Sequence, residues 1–309
     1  MSEQFKALVY YHANCADGFG AAFAAWLQLK DNAEYIPVKY GEQVLPIDVL
    51  GRTVYILDFS FDADTMDTIF ANASRVVWLD HHKTAFEMWL EGGMENGTVV
   101  DGKYHAQHPE TLSEIVLDNN RSGAKIAWQH FHGAAPVPVM FEHIDDYDRW
   151  VFQHQGTKEF NKAIWSLTPW SFEQWEQLWS QDAMKELYVA GEAILRAHDQ
   201  NVKAVAKNPS SCMINYLVDD GDQGLSHEGL VVNCPTHLTS DVGHELANQS
   251  GSYGLLWTLD KDGKTAQCSL RSNGDYDVSR IAKKFGGGGH KNAAGFKVSI
   301  RELLRWYQS

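Results

Sequence analysis

Three short apolar runs, "FKALVYY" (5–11), "TVYILDF" (53–59) and "RVVWLD" (75–80), alternate with stretches of helical character, "GFGAAFAAWLQLK" (18–30) and "DADTMDTIFANA" (62–73). A run that is apolar at nearly every position has no solvent face, so as a strand it must be covered on both sides. Strands that alternate with helices join in parallel through crossover helices. This alternation predicts an α/β domain built on a doubly wound parallel sheet. "EIVLD" (114–118) adds a further strand, and "RSGAKIAWQHFHG" (121–133) a helix with Ser122 as its N-cap.

From Pro136 to about Asn208 the pattern is mostly helical. The aromatic residues of "IWSLTPWSFEQWEQLW" recur at helical spacing and read as a core face. The texture changes at "KNPSS" (207–211). Beyond it lie the strand-like runs "CMINYLV", "GLVVNC", "YGLLWTL" and "TAQCSLRS", with a helix near "HLTSDVGHELANQ". These predict a smaller α+β domain. The expected division is residues 1–190, a linker over 191–210, and a second domain over 211–309. A chain of 309 residues, 44% of them hydrophobic, is long enough for two cores.

The net charge of −14 argues against an extended duplex-binding surface, which needs a basic stripe to neutralise phosphates. It leaves room for a small phosphorylated ligand held by a few cations or metal ions. No apolar run is long enough to span a bilayer, and the N-terminus lacks the basic and apolar regions of a signal peptide. The four cysteines, Cys15, Cys212, Cys234 and Cys268, form no CxxC pair and read as reduced thiols, which suits a cytoplasmic protein.

The early strands share a feature at their ends. The first is followed by His12, Cys15 and Asp17, the second by Asp58, and the third by Asp80, His81 and His82. Each alone has an ordinary explanation: Asp58 as a turn former or N-cap, His12 as a hydrogen-bonded histidine, the Asp-His-His run as a solvated turn. Ligands of open parallel sheets bind beyond the carboxyl ends of the strands, so these side chains are expected to converge. Imidazole with carboxylate suits manganese, iron or zinc. "FEHIDDYDRW" (141–150) offers a further donor, with His143, Asp146 and Tyr147 on one helix face; its other reading is a surface acidic helix end. Near the C-terminus, four successive glycines, Gly286–Gly289, disfavour helix and strand alike. They read as a loop that approaches a ligand closely and nests an anion on its N–H groups, with Arg271 and His290 as added donors. The pattern is not that of a P-loop.

Taken in order, "YHANCADGFGAA", "ILDFS", "LDHH", "HIDDYDRW" and "GGGGHKNAAGF" resemble the successive motifs of the DHH phosphoesterases that carry a C-terminal DHHA1 domain, over nearly the whole chain. The resemblance implies a cleft between the two domains and hydrolysis of phosphodiester bonds with two manganese ions, Mg2+, Co2+ or another divalent ion being alternatives. It implies His12, Asp17, Asp58, His81 and Asp146 as metal ligands, with Asp148 the alternative to Asp146 and Asp58 the bridge. It implies His82 against the scissile phosphate and Asp80 as its orienting neighbour. Arg271, Gly287, Gly288, Gly289 and His290 match the surface that grips the far phosphate. The implied substrates are short oligonucleotides or linear or cyclic dinucleotides, cleaved to nucleoside 5′-monophosphates. Pyrophosphate, polyphosphate or nucleotide bisphosphates on the same centre, and a non-catalytic nucleotide sensor, are the other readings. The oligomeric state is left open. One departure stands out: many members have an aspartate where this chain has Cys15, which is either a thiolate ligand of the metal or leaves that site one donor short.

Overall fold

The computed structural model describes residues 7–91, 99–107, 112–215 and 226–307. The chain forms two compact units, Met1–Leu195 and Arg196–Ser309. Strands of the first unit are β1 (Ala7–His12), β2 (Ala33–Val38), β3 (Thr53–Leu57), β4 (Arg75–Asp80), β5 (Val99–Val100), β6 (Lys103–Gln107) and β7 (Glu114–Asp118). They lie in the order β2-β1-β3-β4-β7-β6-β5. The first five in this row are parallel, and β6 and β5 return antiparallel at one edge.

The expected doubly wound sheet is present, and its physical cause is visible in the side chains. Val9, Leu57, Val77 and Leu79 point to one face. They meet α1 (Ala16–Leu29), and also Trp128, Phe141 and Ile164 from the helices that follow β7. Leu8, Tyr10, Val54, Ile56, Val76 and Trp78 point to the other face. There they meet α2 (Pro46–Val49), α3 (Ala63–Asn72) and α4 (Lys83–Glu91) through Val49, Met66, Ile69, Phe86 and Trp89. Both faces are covered, as continuous apolar strands require. After β7 come α5 (Gly123–His132), α6 (Val139–Asp148), α7 (Thr157–Ser166), α8 (Phe172–Gln177) and α9 (Gln181–Ala206). The aromatic stretch 164–179 packs as expected: Trp175 is fully buried, and Phe19 of α1 sits 4.7 Å from it and 5.5 Å from Trp170.

Strand β2 has no counterpart among the expected elements. Its sequence, "AEYIPV", carries Pro37, which lacks a ladder donor. The strand is tolerated because it is the outermost of the sheet, where one side needs no partner.

The second unit has a mixed sheet of β8 (Ser210–Asn215), β9 (Ser226–Asn233), β10 (Tyr253–Leu259), β11 (Thr265–Ser272), β12 (Gly288–His290) and β13 (Ala293–Ser299), in the order β12-β13-β11-β10-β9-β8. Residues 216–218, the end of the expected strand "CMINYLV", lie outside the described residues. Helix α10 (Thr239–Ser250) covers one face through Val242 and Leu246. Helices α11 (Val278–Lys284) and α12 (Ile300–Trp306) cover the other through Ile281, Leu303 and Trp306.

The glycine run differs from expectation. Gly288 and Gly289 belong to an edge strand, paired with Gly295 and Ala294, rather than to a free loop. The reason is proximity. A Cβ on Gly287 would lie 2.1 Å from the Gly295 carbonyl oxygen, and one on Gly289 would lie 2.5 Å from that of Ala293. Only residues without a Cβ let the two backbones approach this closely, and the ladder bonds outweigh the glycine entropy cost.

Candidate metal centre

The register of the first sheet fixes where the polar strand ends fall. Tyr11, Leu57 and Leu79 occupy one row across β1, β3 and β4. The residues that come next, His12, Asp58 and Asp80, therefore emerge side by side at the carboxyl edge. Asp58 turns there with φ 54°, a left-handed conformation that aspartate tolerates better than most residues, and its N–H bonds to the Leu79 carbonyl at 2.9 Å. Asp17 arrives from the first turn of α1, and Asp148 is the last residue of α6.

These groups form three overlapping donor sets: His12, Cys15 and Asp58; Asp58, His81 and His82; and Asp17, His81 and Asp148. Within each set one ligand atom per residue lies within 4.8 Å of the others. His81 is the hub, with Nε2 3.1 Å from Asp58 Oδ1, 3.4 Å from Asp148 Oδ2 and 3.5 Å from Asp17 Oδ2. His12 Nδ1 lies 3.6 Å from Asp58 Oδ2.

The electrostatics of the cluster are those of a site short of positive charge. Burial and the neighbouring carboxylates of Asp58 and Asp148 push the Asp17 pKa well up. Burial opposes charge on His81, yet Asp148, Asp58 and Asp17 outweigh it and hold its pKa well above the ordinary value. Burial also opposes the charge of Asp58, but His12 and His81 prevail and lower its pKa. Asp58 is only 1% exposed, and both its carboxylate oxygens, like Nδ1 of His12, are buried without a hydrogen bond. Buried polar atoms of this kind are costly unless something pairs with them. Carboxylate and imidazole donors facing one another without bonds fit a divalent cation, so the residues present suit the group that the resemblance implies.

The flanking residues are held in place. Both oxygens of Asp17 accept backbone N–H groups at the start of α5, from Gly123 at 2.7 Å and Ala124 at 2.9 Å. The helix N-terminus, a natural seat for a carboxylate, thus sets the orientation of Asp17. Ser122 caps the same helix, as expected. Asp80, fully buried, accepts from the backbone of His81 at 2.7 Å, from that of His82 at 3.2 Å, and from Nδ1 of His82 at 2.7 Å; Ser60 donates to its other oxygen. Asp80 thereby engages Nδ1 of His82 and sets its tautomer.

Asp146 stands apart from the donor cluster. Its oxygens accept the N–H groups of Gln153 at 2.7 Å and His154 at 3.0 Å and the Thr157 hydroxyl at 2.6 Å. His143, on the same helix face as expected, also meets Thr157, at 2.9 Å. This face anchors the segment after α6 and is not part of the donor cluster. Two residues on, about 200° around the helix, Asp148, the alternative, lies beside His81 and Asp17. Substituting each in turn separates the roles. Asp148→Asn is expected to weaken metal binding in calorimetry ~10–100-fold with little change in melting temperature. Asp146→Ala is expected to leave metal affinity intact and to cost about 1–3 kcal/mol of stability through the unsatisfied donors of the loop. The opposite pattern would restore Asp146 to the metal.

The sequence reading also missed Ser60, Gly123 and Tyr40. Ser60 lies inside the quoted "ILDFS", but nothing local shows that it faces Asp80. Tyr40, 60% exposed, has its ring 5.7 Å from that of His12 and 4.9 Å from that of Phe59. It follows the unrecognised strand β2, so its place at the same sheet edge was hidden with that strand.

In the second unit, Arg271, Ala293 and His290 stand in one row across β11, β13 and β12. Directly paired residues share a face of the sheet, so Arg271 and His290 flank the small Ala293. The Arg271 guanidinium donates to the Leu270 carbonyl and the Ser240 hydroxyl, both uncharged, and burial lowers its pKa.

The first unit is an α/β fold with a doubly wound sheet and a carboxylate and imidazole cluster at the carboxyl edge of its strands. Comparison with known proteins narrows this. Residues 241–305 match the family model described as DHHA1 domain. Over 94% of the chain, the sequence is 28% identical to Uncharacterized protein R106 of Acanthamoeba polyphaga mimivirus, covering 67% of that protein. It is 22% identical to oligoribonuclease NrnB of Bacillus subtilis, again over 94% of this chain and 72% of that one. The second unit thus carries a match to the DHHA1 domain, and the chain as a whole is similar to these two proteins. Among solved structures, the pGpG-specific phosphodiesterase PggH of Vibrio cholerae aligns over 97% of this chain and 95% of that one, at 16% identity and a TM-score of 0.44. Exonuclease RecJ bound to manganese aligns over 97% and 87%, at 13% identity and a TM-score of 0.47. Among the described residues, no helix is long and apolar enough to cross a membrane.

Proposed function

We propose that this protein is a metal-dependent phosphodiesterase that hydrolyses short oligonucleotides or dinucleotides to nucleoside 5′-monophosphates. The observation that carries the proposal is Asp58: a buried carboxylate with two unbonded oxygens, shared between donor sets at the carboxyl edge of the sheet. The DHHA1 match over residues 241–305 and the likeness to an oligoribonuclease support the choice of substrate class.

In this reading Asp17, Asp58, His81 and Asp148 hold one divalent ion, and His12 and Asp58 hold another, with manganese the expected metal. Such ions supply Lewis acidity at phosphorus and lower the pKa of water toward neutrality. The chain's own residues do the rest. His82, oriented by Asp80, donates from Nε2 to a phosphoryl oxygen and offsets the charge that builds there. Asp17, locked by the amides of α5, and Asp148 keep the donor set rigid, which conserves reaction geometry. Arg271 and His290, with the narrow backbone at Gly287, Gly288 and Gly289, receive a second phosphate and select short ligands that carry one. The negative charge of the chain supports short substrates over long polymers.

A manganese-supplemented ladder of RNAs, with linear and cyclic dinucleotides and pyrophosphate alongside, tests this reading. The expected result is fastest release of nucleoside 5′-monophosphates from the shortest substrates. Arg271→Ala is expected to raise KM for them with a smaller effect on kcat. Processive cleavage of long strands, or phosphate release from pyrophosphate alone, would overturn the substrate assignment.

A further inference from the structure

Cys15 occupies the N-cap of α1, with φ −135° and ψ 135°, yet its side chain makes no cap bond. Ser, Thr, Asp or Asn is favoured at such a position because its oxygen accepts an N–H of the first turn. The Gly18 N–H faces the sulfur, but sulfur is a weak acceptor and caps the helix end poorly. It does lie with a ring nitrogen of His12 and a carboxylate oxygen of Asp58, all within 4.8 Å of one another. A second observation points the same way. The Asp58 oxygens and His12 Nδ1 are buried and unbonded in this triad. The other two donor sets, Asp58 with His81 and His82, and Asp17 with His81 and Asp148, contain no sulfur.

We propose that Cys15 is a thiolate ligand of a His12–Cys15–Asp58 cation site, which makes the two halves of the centre chemically unequal. The sulfur-containing half prefers a borderline ion such as Zn2+, Fe2+ or Co2+, because polarizable thiolate favours softer cations. The half built from Asp17, Asp58, His81 and Asp148 offers oxygen and imidazole alone and suits a harder ion such as Mn2+. On binding, the Cys15 S–H bond gives its proton to solvent and a sulfur–metal bond replaces it. This inference rests on the metal-centre reading, and its test distinguishes the two.

The probe is Co2+ added to chelator-stripped full-length protein, with bound cobalt counted by elemental analysis and read by absorption. A near-ultraviolet sulfur-to-cobalt charge-transfer band is expected in the native protein and is lost in Cys15→Ser and Cys15→Asp. Cys15→Asp is also expected to shift the Zn2+-over-Mn2+ preference toward Mn2+. Bound cobalt without the band, or a band that survives in Cys15→Ser, overturns the thiolate assignment and leaves the metal centre standing. No bound cobalt overturns both. A measurement without variants stands beside this one. Cys15 is partly exposed whereas Cys212, Cys234 and Cys268 are buried. Iodoacetamide is therefore expected to modify Cys15 first, and Zn2+ to slow that modification sharply. An unchanged rate with Zn2+ bound overturns the assignment.

Discussion

Asp58→Asn is expected to lower metal-dependent turnover by roughly 10²–10³-fold or more and to remove most of the thermal stabilisation that added Mn2+ confers. The carboxylate belongs to two of the three donor sets, as His81 does, and it faces His12, His81 and His82 together. Asparagine keeps the shape but removes the charge and halves the acceptor capacity. In the native protein a metal at 100 times its Kd stabilises the fold by about 2.7 kcal/mol, because it binds only the folded state. Melting curves with and without Mn2+ therefore read the ligand role independently of turnover. A variant that keeps both the manganese-dependent shift and near-native turnover would sink the assignment of Asp58 as the shared ligand.

Gly123→Ala has the second largest expected effect, although Gly123 donates no side chain to the site. A Cβ there would lie 2.4 Å from the Asp58 Cβ and 2.7 Å from its Oδ1. Neither atom can yield by swinging a flexible chain, since Asp58 is fixed by its strand end and its left-handed turn. The same glycine donates its N–H to Asp17. One methyl group therefore presses on two ligands at once. The expected outcome is a loss of about 1–3 kcal/mol in denaturant unfolding, as for an overpacked core. Manganese affinity is expected to fall by ~10–100-fold, as when a residue supporting a metal ligand is lost. Unchanged stability and unchanged metal affinity would show that α5 can retreat without disturbing the cluster.

Much of the centre was legible in the chain because parallel strands impose a common direction. His12, Asp17, Asp58, Asp80, His81 and His82 all follow apolar runs, and an open parallel sheet brings such endings to one edge. The sequence carried less about α6. Asp145, Asp146 and Asp148 stand close together in "HIDDYDRW", and local spacing places His143 and Asp146 on one helix face, as the structure does. It does not say which face meets the sheet edge, and that decided between Asp146 and Asp148. The glycine run misled for a related reason. Its composition disfavours a strand locally, but close pairing with β13 requires residues that lack a Cβ.

The order of apolar runs and polar strand ends determined by itself the doubly wound sheet, the family motifs and most of the donor residues, since these depend on period and sequence order alone. Tertiary structure alone decided that Asp148 joins His81 while Asp146 anchors a loop, that Gly123 must lack a side chain, and that Cys15 shares a triad with His12 and Asp58. The physical reason is that each of these depends on contacts between residues distant in the chain. Gly123 and Asp58, and Asp148 and His81, come close together only when helices pack against the sheet edge.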